Sequence, residues 1–311
     1  MDYKGEKSMS EIFDRIVSAV DLKTQEKFDD KNAWLVEKLI PVGQAGLVVA
    51  PSKSYKSSVT LNMAIKIVQG QEFAGLKTKK GNVLIIANED TPFVLHQRLN
   101  AYDDELEGLS FLTGGLFKLD KKDHMNSLYA YIIQNDIKLV IFDNLKDMLS
   151  SPDTLNDMTR MNEVLYNITK LKLIFEDVTF MLIAHARKSV ADDSLDDKQF
   201  RVRSTHALGS SALGAWFEFC LNLSPKLGKS SRYSIMNLEA RNYAFDRELY
   251  FGYVADKFIM LDPAKDKKEK EPDSELVEEV KQETPDEVTT NDAKSFLELA
   301  KDEGKVNEVD D

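Results

Sequence analysis

The sequence predicts an α/β chain: a mainly parallel, twisted sheet flanked by helices, with antiparallel strands added at one edge. Three observations predict it. Short runs at Gly46–Ala50, Val83–Ala87, Leu139–Phe142 and Phe180–Ala184 are apolar at every position. Longer stretches with helical spacing lie between them, Leu61, Ala64, Ile65 and Val68 being one example. After Glu218 four strand-like runs follow in quick succession. Wholly apolar runs are strands buried on both faces, and strands alternating with helices pair in parallel.

Taken in order, the first forty residues read as a separate helical segment. Ile12, Phe13, Ile16, Val17 and Val20 form one apolar face, and Trp34, Leu35, Leu39 and Ile40 follow the charged stretch Lys27–Lys31. The strand and helix alternation then runs from Gly46 to about Leu261. The runs Phe219–Leu223, Tyr233–Glu239, Leu249–Val254 and Phe258–Leu261, with turns at Leu227-Gly228-Lys229 and Asp256-Lys257, read as antiparallel edge strands. Three regions result: a helical segment 1–33, a core domain 34–263 and a tail 264–311. The tail holds 8 lysines against 17 acidic residues, so it carries −9 of the formal charge of −12 and leaves −3 for the rest. It is expected to be mostly disordered, except for a short amphipathic helix carrying Ala293, Phe296, Leu297 and Ala300.

Composition excludes several classes. The chain has 311 residues and 42% hydrophobic side chains, enough for a real core, and its one cysteine, Cys220, rules out an internal disulfide. No apolar run is long enough to span a membrane and the start MDYKGEKSMS lacks the apolar centre of a signal peptide, so a cytoplasmic protein is expected.

The strongest chemical signal sits where the first long strand meets the first long helix. Ala50-Pro51-Ser52-Lys53-Ser54-Tyr55-Lys56-Ser57 occupies the slot of the phosphate loop GxxxxGK[ST], with alanine and tyrosine replacing both glycines. Lys56 would reach the β- and γ-phosphates and the Ser57 hydroxyl would bind Mg²⁺. Ser52, Lys53, Ser54, Tyr55, Lys56, Ser57 and Ser58 are therefore the candidate nucleotide-binding residues. Three other strand ends support them. Leu139-Val140-Ile141-Phe142-Asp143 ends in a carboxylate, the Walker B arrangement for holding Mg²⁺. Val83–Ala87 leads to Asn88-Glu89-Asp90, where Glu89 can orient an attacking water, and Phe180–Ala184 leads to His185, which can sense a γ-phosphate. Singly, each has a structural alternative: Asp143 or Glu89 as a helix cap, His185 as a satisfied buried imidazole. Together they fall at the carboxyl ends of strands, where open α/β sheets bind ligands.

From about Trp34 to Leu261 the chain resembles the RecA-type ATPase core of hexameric replicative helicases, closest to the RepA-like group, with DnaB as a wider relative. The matching residues are Trp34–Pro41, Pro51–Ser57, Asn88–Asp90, Ile141–Leu145, Ala184–Lys188 and Gly209–Gly214. An aromatic in place of the second loop glycine resembles a variant within that group. The resemblance implies a RecA-like P-loop fold, ATP and Mg²⁺ as cofactors, a homo-oligomeric and hexameric ring, and single-stranded DNA as partner. It implies catalytic roles for Lys56, Glu89, Asp143 and His185, with Ser57 and Asp143 at the metal. Leu238-Glu239-Ala240-Arg241-Asn242 resembles the DnaB-type strand ending in Lys-x-Arg-Asn, which makes Arg241 the arginine finger for a neighbouring subunit; Glu239 stands where that family has lysine. A surface ion pair of Arg241 with Asp246 or Glu248 is the alternative. The segment Ala186–His206 matches the family's DNA-binding loops and supplies Arg187, Lys188, Lys198, Arg201 and Arg203, offset by four aspartates. Two other functions stay open: a filament-forming recombination or repair ATPase, and a nucleotide-gated adaptor or loader with weak hydrolysis. The acidic tail would dock a replication or recombination protein, and the expected setting is bacterial, plasmid or phage.

Overall fold

The computed structural model describes residues 16–26, 32–102, 106–187, 201–209, 211–227, 232–254 and 257–261. By contacts the chain divides into units 1–263 and 264–311, and every described residue lies in the first. Ile12, Phe13 and the tail residues Ala293, Phe296, Leu297 and Ala300 fall outside the described residues.

Helix α1 spans Ala19–Thr24 and buries no side chain. The expected helical face through Ile16 and Val17 is not formed, because Ser18 is extended and its Oγ accepts the Asp21 amide, which starts the helix there. Trp34–Ile40, at the start of the core domain, do not continue the helical pattern. These residues form a small antiparallel pair, β1 (Trp34–Val36) and β2 (Ile40–Pro41), with Lys38 left-handed in the turn. Tertiary contacts account for it. Leu35, Val36, Leu39 and Ile40 are buried in the core, Trp34 meets Tyr243 edge-on at 4.9 Å, and the Tyr243 hydroxyl donates to the Leu39 carbonyl.

The main sheet has nine strands in the order β11-β10-β9-β8-β3-β7-β6-β4-β5. Six are parallel: β3 (Ala45–Ala50), β4 (Asn82–Ala87), β5 (Leu109–Thr113), β6 (Ile137–Asp143), β7 (Thr179–His185) and β8 (Phe219–Leu227). β9 (Arg232–Ala240), β10 (Leu249–Val254) and β11 (Lys257–Leu261) continue the sheet antiparallel from β8, as the sequence predicts. Strand β7 lies between β3 and β6, hydrogen-bonded to both.

Alternation along the strands divides the core into two layers. Leu47 and Val49 of β3 face α4 (Lys122–Gln134) and α5 (Met158–Ile174), whereas Val48 and Ala50 face α2 (Lys56–Gln69). Helix α3 (Pro92–Leu99) follows β4, capped by Thr91, and α6 (Ala212–Trp216) precedes β8. Gly46 of β3 faces the buried Phe219 ring of β8, and a Cβ there would come within 2.3 Å of it. Among the described residues no helix is long and apolar enough to cross a membrane.

Candidate active site

The phosphate loop forms where β3 ends at Ala50 and α2 begins at Lys56. The glycine-poor sequence takes a glycine-like path: Tyr55 has φ 60° and ψ 20°, and Lys53 has φ 61°. A left-handed non-glycine residue costs about 1–2 kcal/mol. Local contacts hold the loop. Ser54 is buried and donates to the Pro51 carbonyl at 2.7 Å, Ser234 Oγ of β9 donates to the Ser54 carbonyl at 2.6 Å, and the Tyr55 ring packs 6.0 Å from that of Phe258 of β11. Tyr55 makes no side-chain cap, so the amides of the first turn of α2 keep their affinity for an anion. Ser52 and Lys53 are exposed, and Lys56, Ser57 and Ser58 are half-buried on that turn.

The acids converge on this turn. Ser57 Oγ donates to Asp143 Oδ2 at 2.9 Å, and Asp143 is only 8% exposed at the end of β6. Burial raises the Asp143 pKa against the opposing effects of the Ser57 bond and the Lys56 charge. The Asp143–Asn144 peptide is cis. Glu89 follows β4, whose Ala87 lies in register with Asp143, and the Asn88 amide donates to the Asp143 carbonyl. Glu89 is exposed, and partial desolvation, then the neighbouring Asp147 carboxylate, raises its pKa from 4.5. Three buried polar atoms nearby have no hydrogen-bond partner: Asn88 Oδ1, Asn144 Nδ2 and Asp147 Oδ2. A hydroxyl and a carboxylate in contact, with the unpartnered Asn88 and Asp147 oxygens on the adjoining strand ends, suit Mg²⁺, a hard cation that keeps waters and takes phosphate oxygens as its other ligands, whereas the Asn144 Nδ2 can only donate. Among the described residues no cluster of three His, Cys, Asp or Glu could hold a metal without such help.

His185 ends β7 in register with Ala50, and the Ala186 amide donates to the Ala50 carbonyl. Burial, then the Lys56 charge, lowers its pKa from 6.5, which favours the neutral imidazole. Lys56, Ser57, Glu89, Asp143 and His185 are thus gathered at one end of the sheet.

Other candidates stand elsewhere. Arg241 follows the end of β9, beside the start of β8 and so at the opposite end of the sheet from Ser57. It is exposed, and its guanidinium donates to the Ala215 carbonyl. It pairs with neither Asp246 nor Glu248; Glu248 is bound by Arg201 through two hydrogen bonds, at 3.0 and 3.3 Å. Glu239 accepts from the Ser204 amide and hydroxyl and from Asn222, fastening the segment 201–209 to the sheet. Arg187 donates to the Gly209 carbonyl, Arg203 is exposed, and Lys188 and Lys198 lie outside the described residues.

Sequence reasoning missed Arg98 and Asp147. Arg98 of α3 reaches back to Asp90 at 2.5 Å, and both charges act on Asp143. Neither residue belongs to a spacing pattern. The signal available was their position, each shortly after a strand end that already carried an acid.

A phosphate loop on β3, an acid strand two places away and a second acid between them and the sheet edge define a P-loop ATPase of α/β, RecA-like fold. The chain belongs to the AAA domain family, whose model matches residues 12–191. Among solved structures it is similar to a KaiC-like protein of the hyperthermophilic archaeon Pyrococcus horikoshii OT3, at 13% identity and a TM-score of 0.52, over 73% of this chain and 94% of that one. No curated protein matches it.

Proposed function

We propose that this ATPase is a RepA/DnaB-like, ring-forming helicase or translocase that acts on single-stranded DNA in replication. The observation that carries its catalytic part is the Ser57–Asp143 hydrogen bond, which joins the phosphate loop to the acid strand with Glu89 alongside. Ser57 and Asp143 would hold Mg²⁺, which when bound neutralises charge on the β- and γ-phosphates. Lys56 binds the same phosphates. Ionised Glu89 orients water for in-line attack and takes its proton, and neutral His185 donates a hydrogen bond to the γ-phosphate. A trans arginine stabilises the charge that develops there and is worth roughly 10³–10⁵ in rate in related enzymes. Arg241 suits that role from a neighbouring subunit, since it is exposed and lies away from its own site. The ring and the DNA rest on sequence resemblance, and a protein docked on the tail rests on the tail's acidic composition.

A second reading, a nucleotide-gated adaptor with weak hydrolysis, is favoured by the state of one loop cation: Arg201 is paired with Glu248 rather than left open to a phosphate backbone. ATP turnover with and without single-stranded DNA, together with particle size with and without Mg²⁺-ATP, separates the two. The helicase reading expects stimulation by DNA, nucleotide-dependent rings and loss of turnover in Lys56→Ala. Tight ATP binding with negligible, DNA-insensitive turnover would select the adaptor.

A further inference from the structure

The loop at 51–55 does without the glycines that normally let a phosphate loop curl round its ligand, so something else must hold its shape. Two of its residues are left-handed without being glycine. Two contacts reach it from the antiparallel edge of the sheet. Ser234, fully buried on β9, directs its only hydroxyl at the Ser54 carbonyl, 180 positions away in the chain. Phe258 on β11 packs on Tyr55 and is itself the end of an aromatic row: Phe258 stacks on Phe251 at 6.1 Å, and Phe251 on Phe73 at 5.5 Å. Phe73 and Phe251 are almost wholly buried, so the row is anchored in the core. Side chains held on both sides by packed rings have little freedom to move.

We infer that Ser234 and Phe258 are positioning residues for the nucleotide phosphates: the antiparallel edge braces a glycine-free loop in the curl that binds them. Neither residue touches the reacting atoms. Each acts through the loop, Ser234 by fixing the Ser54 carbonyl and Phe258 by fixing the Tyr55 ring, and so fixes the backbone between them and Lys56. A loop ordered beforehand gives up less freedom on binding. The brace should therefore act on nucleotide affinity more than on the chemical step.

This inference rests on the reading of residues 51–57 as a phosphate loop, and its test includes a measurement made without nucleotide. Hydrogen exchange of the amides at 52–57 is compared in nucleotide-free wild type, Ser234→Ala and Phe258→Ala. At least ten-fold faster exchange in both variants, with the amides of β6 unchanged, is expected; unchanged exchange at 52–57 overturns the brace. In parallel, Mg²⁺-ATP titrations should show at least five-fold weaker binding in Phe258→Ala with kcat within two-fold, and recovery in Phe258→Leu. Tyr55→Gly removes the need for the brace, so adding Phe258→Ala to it should change affinity less than two-fold. An equal five-fold loss in that background would mean that Phe258 serves general packing and would overturn the inference. Wild type that fails to bind Mg²⁺-ATP would sink the proposed function, and the exchange result would still decide the brace.

Discussion

Ser57 and Asp143, 86 positions apart, are joined by a 2.9 Å hydrogen bond at a site where the carboxylate is almost fully buried. One hydroxyl donor does not offset that burial, since the Asp143 pKa stays above its usual value. A carboxyl whose native pKa is raised binds protons more tightly folded than unfolded, so its ionisation opposes folding as pH rises through that interval. Asp143→Asn should therefore raise the melting temperature at pH 7 while removing Mg²⁺-dependent ATP turnover. Thermal melts and turnover on the same preparation check both, and a lower melting temperature at neutral pH would refute the charge argument.

Glu89, although exposed, has the same sign of shift, from partial desolvation beside the Asp147 carboxylate. As the group that takes a proton from water it works only when ionised, so kcat should climb with pH through a midpoint above 4.5. Glu89→Gln should keep ATP affinity, lower kcat by about 10²–10⁴-fold and abolish that limb of the profile. Asp147→Asn should move the midpoint down, because it removes a like charge. A midpoint that stays put in Asp147→Asn would show that the two carboxylates do not interact.

Arg98 and Asp90 form a partly exposed pair in which Arg98 offsets part of the negative charge that Asp90 places near Asp143. Arg98→Ala should cost only about 1 kcal/mol of stability, in keeping with a pair open to solvent. It should weaken Mg²⁺-ATP binding, because Asp90 is then left uncompensated, while Asp90→Asn with Arg98→Ala restores part of the loss. A double-mutant cycle read by ATP titration gives the answer.

Gly46 stands in the central strand that delivers the phosphate loop, directly over Phe219. Gly46→Ala should destabilise the fold by about 1–3 kcal/mol through overpacking, measurable by urea unfolding. Pairing it with Phe219→Leu should recover part of that loss, whereas independent effects would mean that the ring is not what the methyl meets.

The strands were legible in the sequence because burial on both faces leaves an unbroken apolar run, and their carboxyl ends could be read directly as Ser57, Glu89, Asp143 and His185. The β1 and β2 pair was not, since Trp34 to Ile40 is too short for periodicity to separate a hairpin from a helix turn, and its partners Tyr243 and the core lie far along the chain. Strand β5 escaped for a different reason. At the sheet edge it is only half-buried, so Leu109–Thr113 carries no continuous apolar signal and is marked only by the glycines at 108, 114 and 115. The Asp90–Arg98 pair and the grip of Glu239 on Ser204 depend on where side chains end up after folding, which no local pattern encodes.

Strand β7 is fastened beyond its last residue as well as along its length. Past its end, the Arg187 amide donates to the His206 carbonyl and the Leu208 amide to the His185 carbonyl, so the chain leaves and re-enters at a single ladder. The backbone at His185 is thereby pinned on two sides, since its carbonyl accepts from Leu208 while the next amide, that of Ala186, donates to the Ala50 carbonyl at the root of the phosphate loop, and a displacement of the segment 201–209 would be felt there.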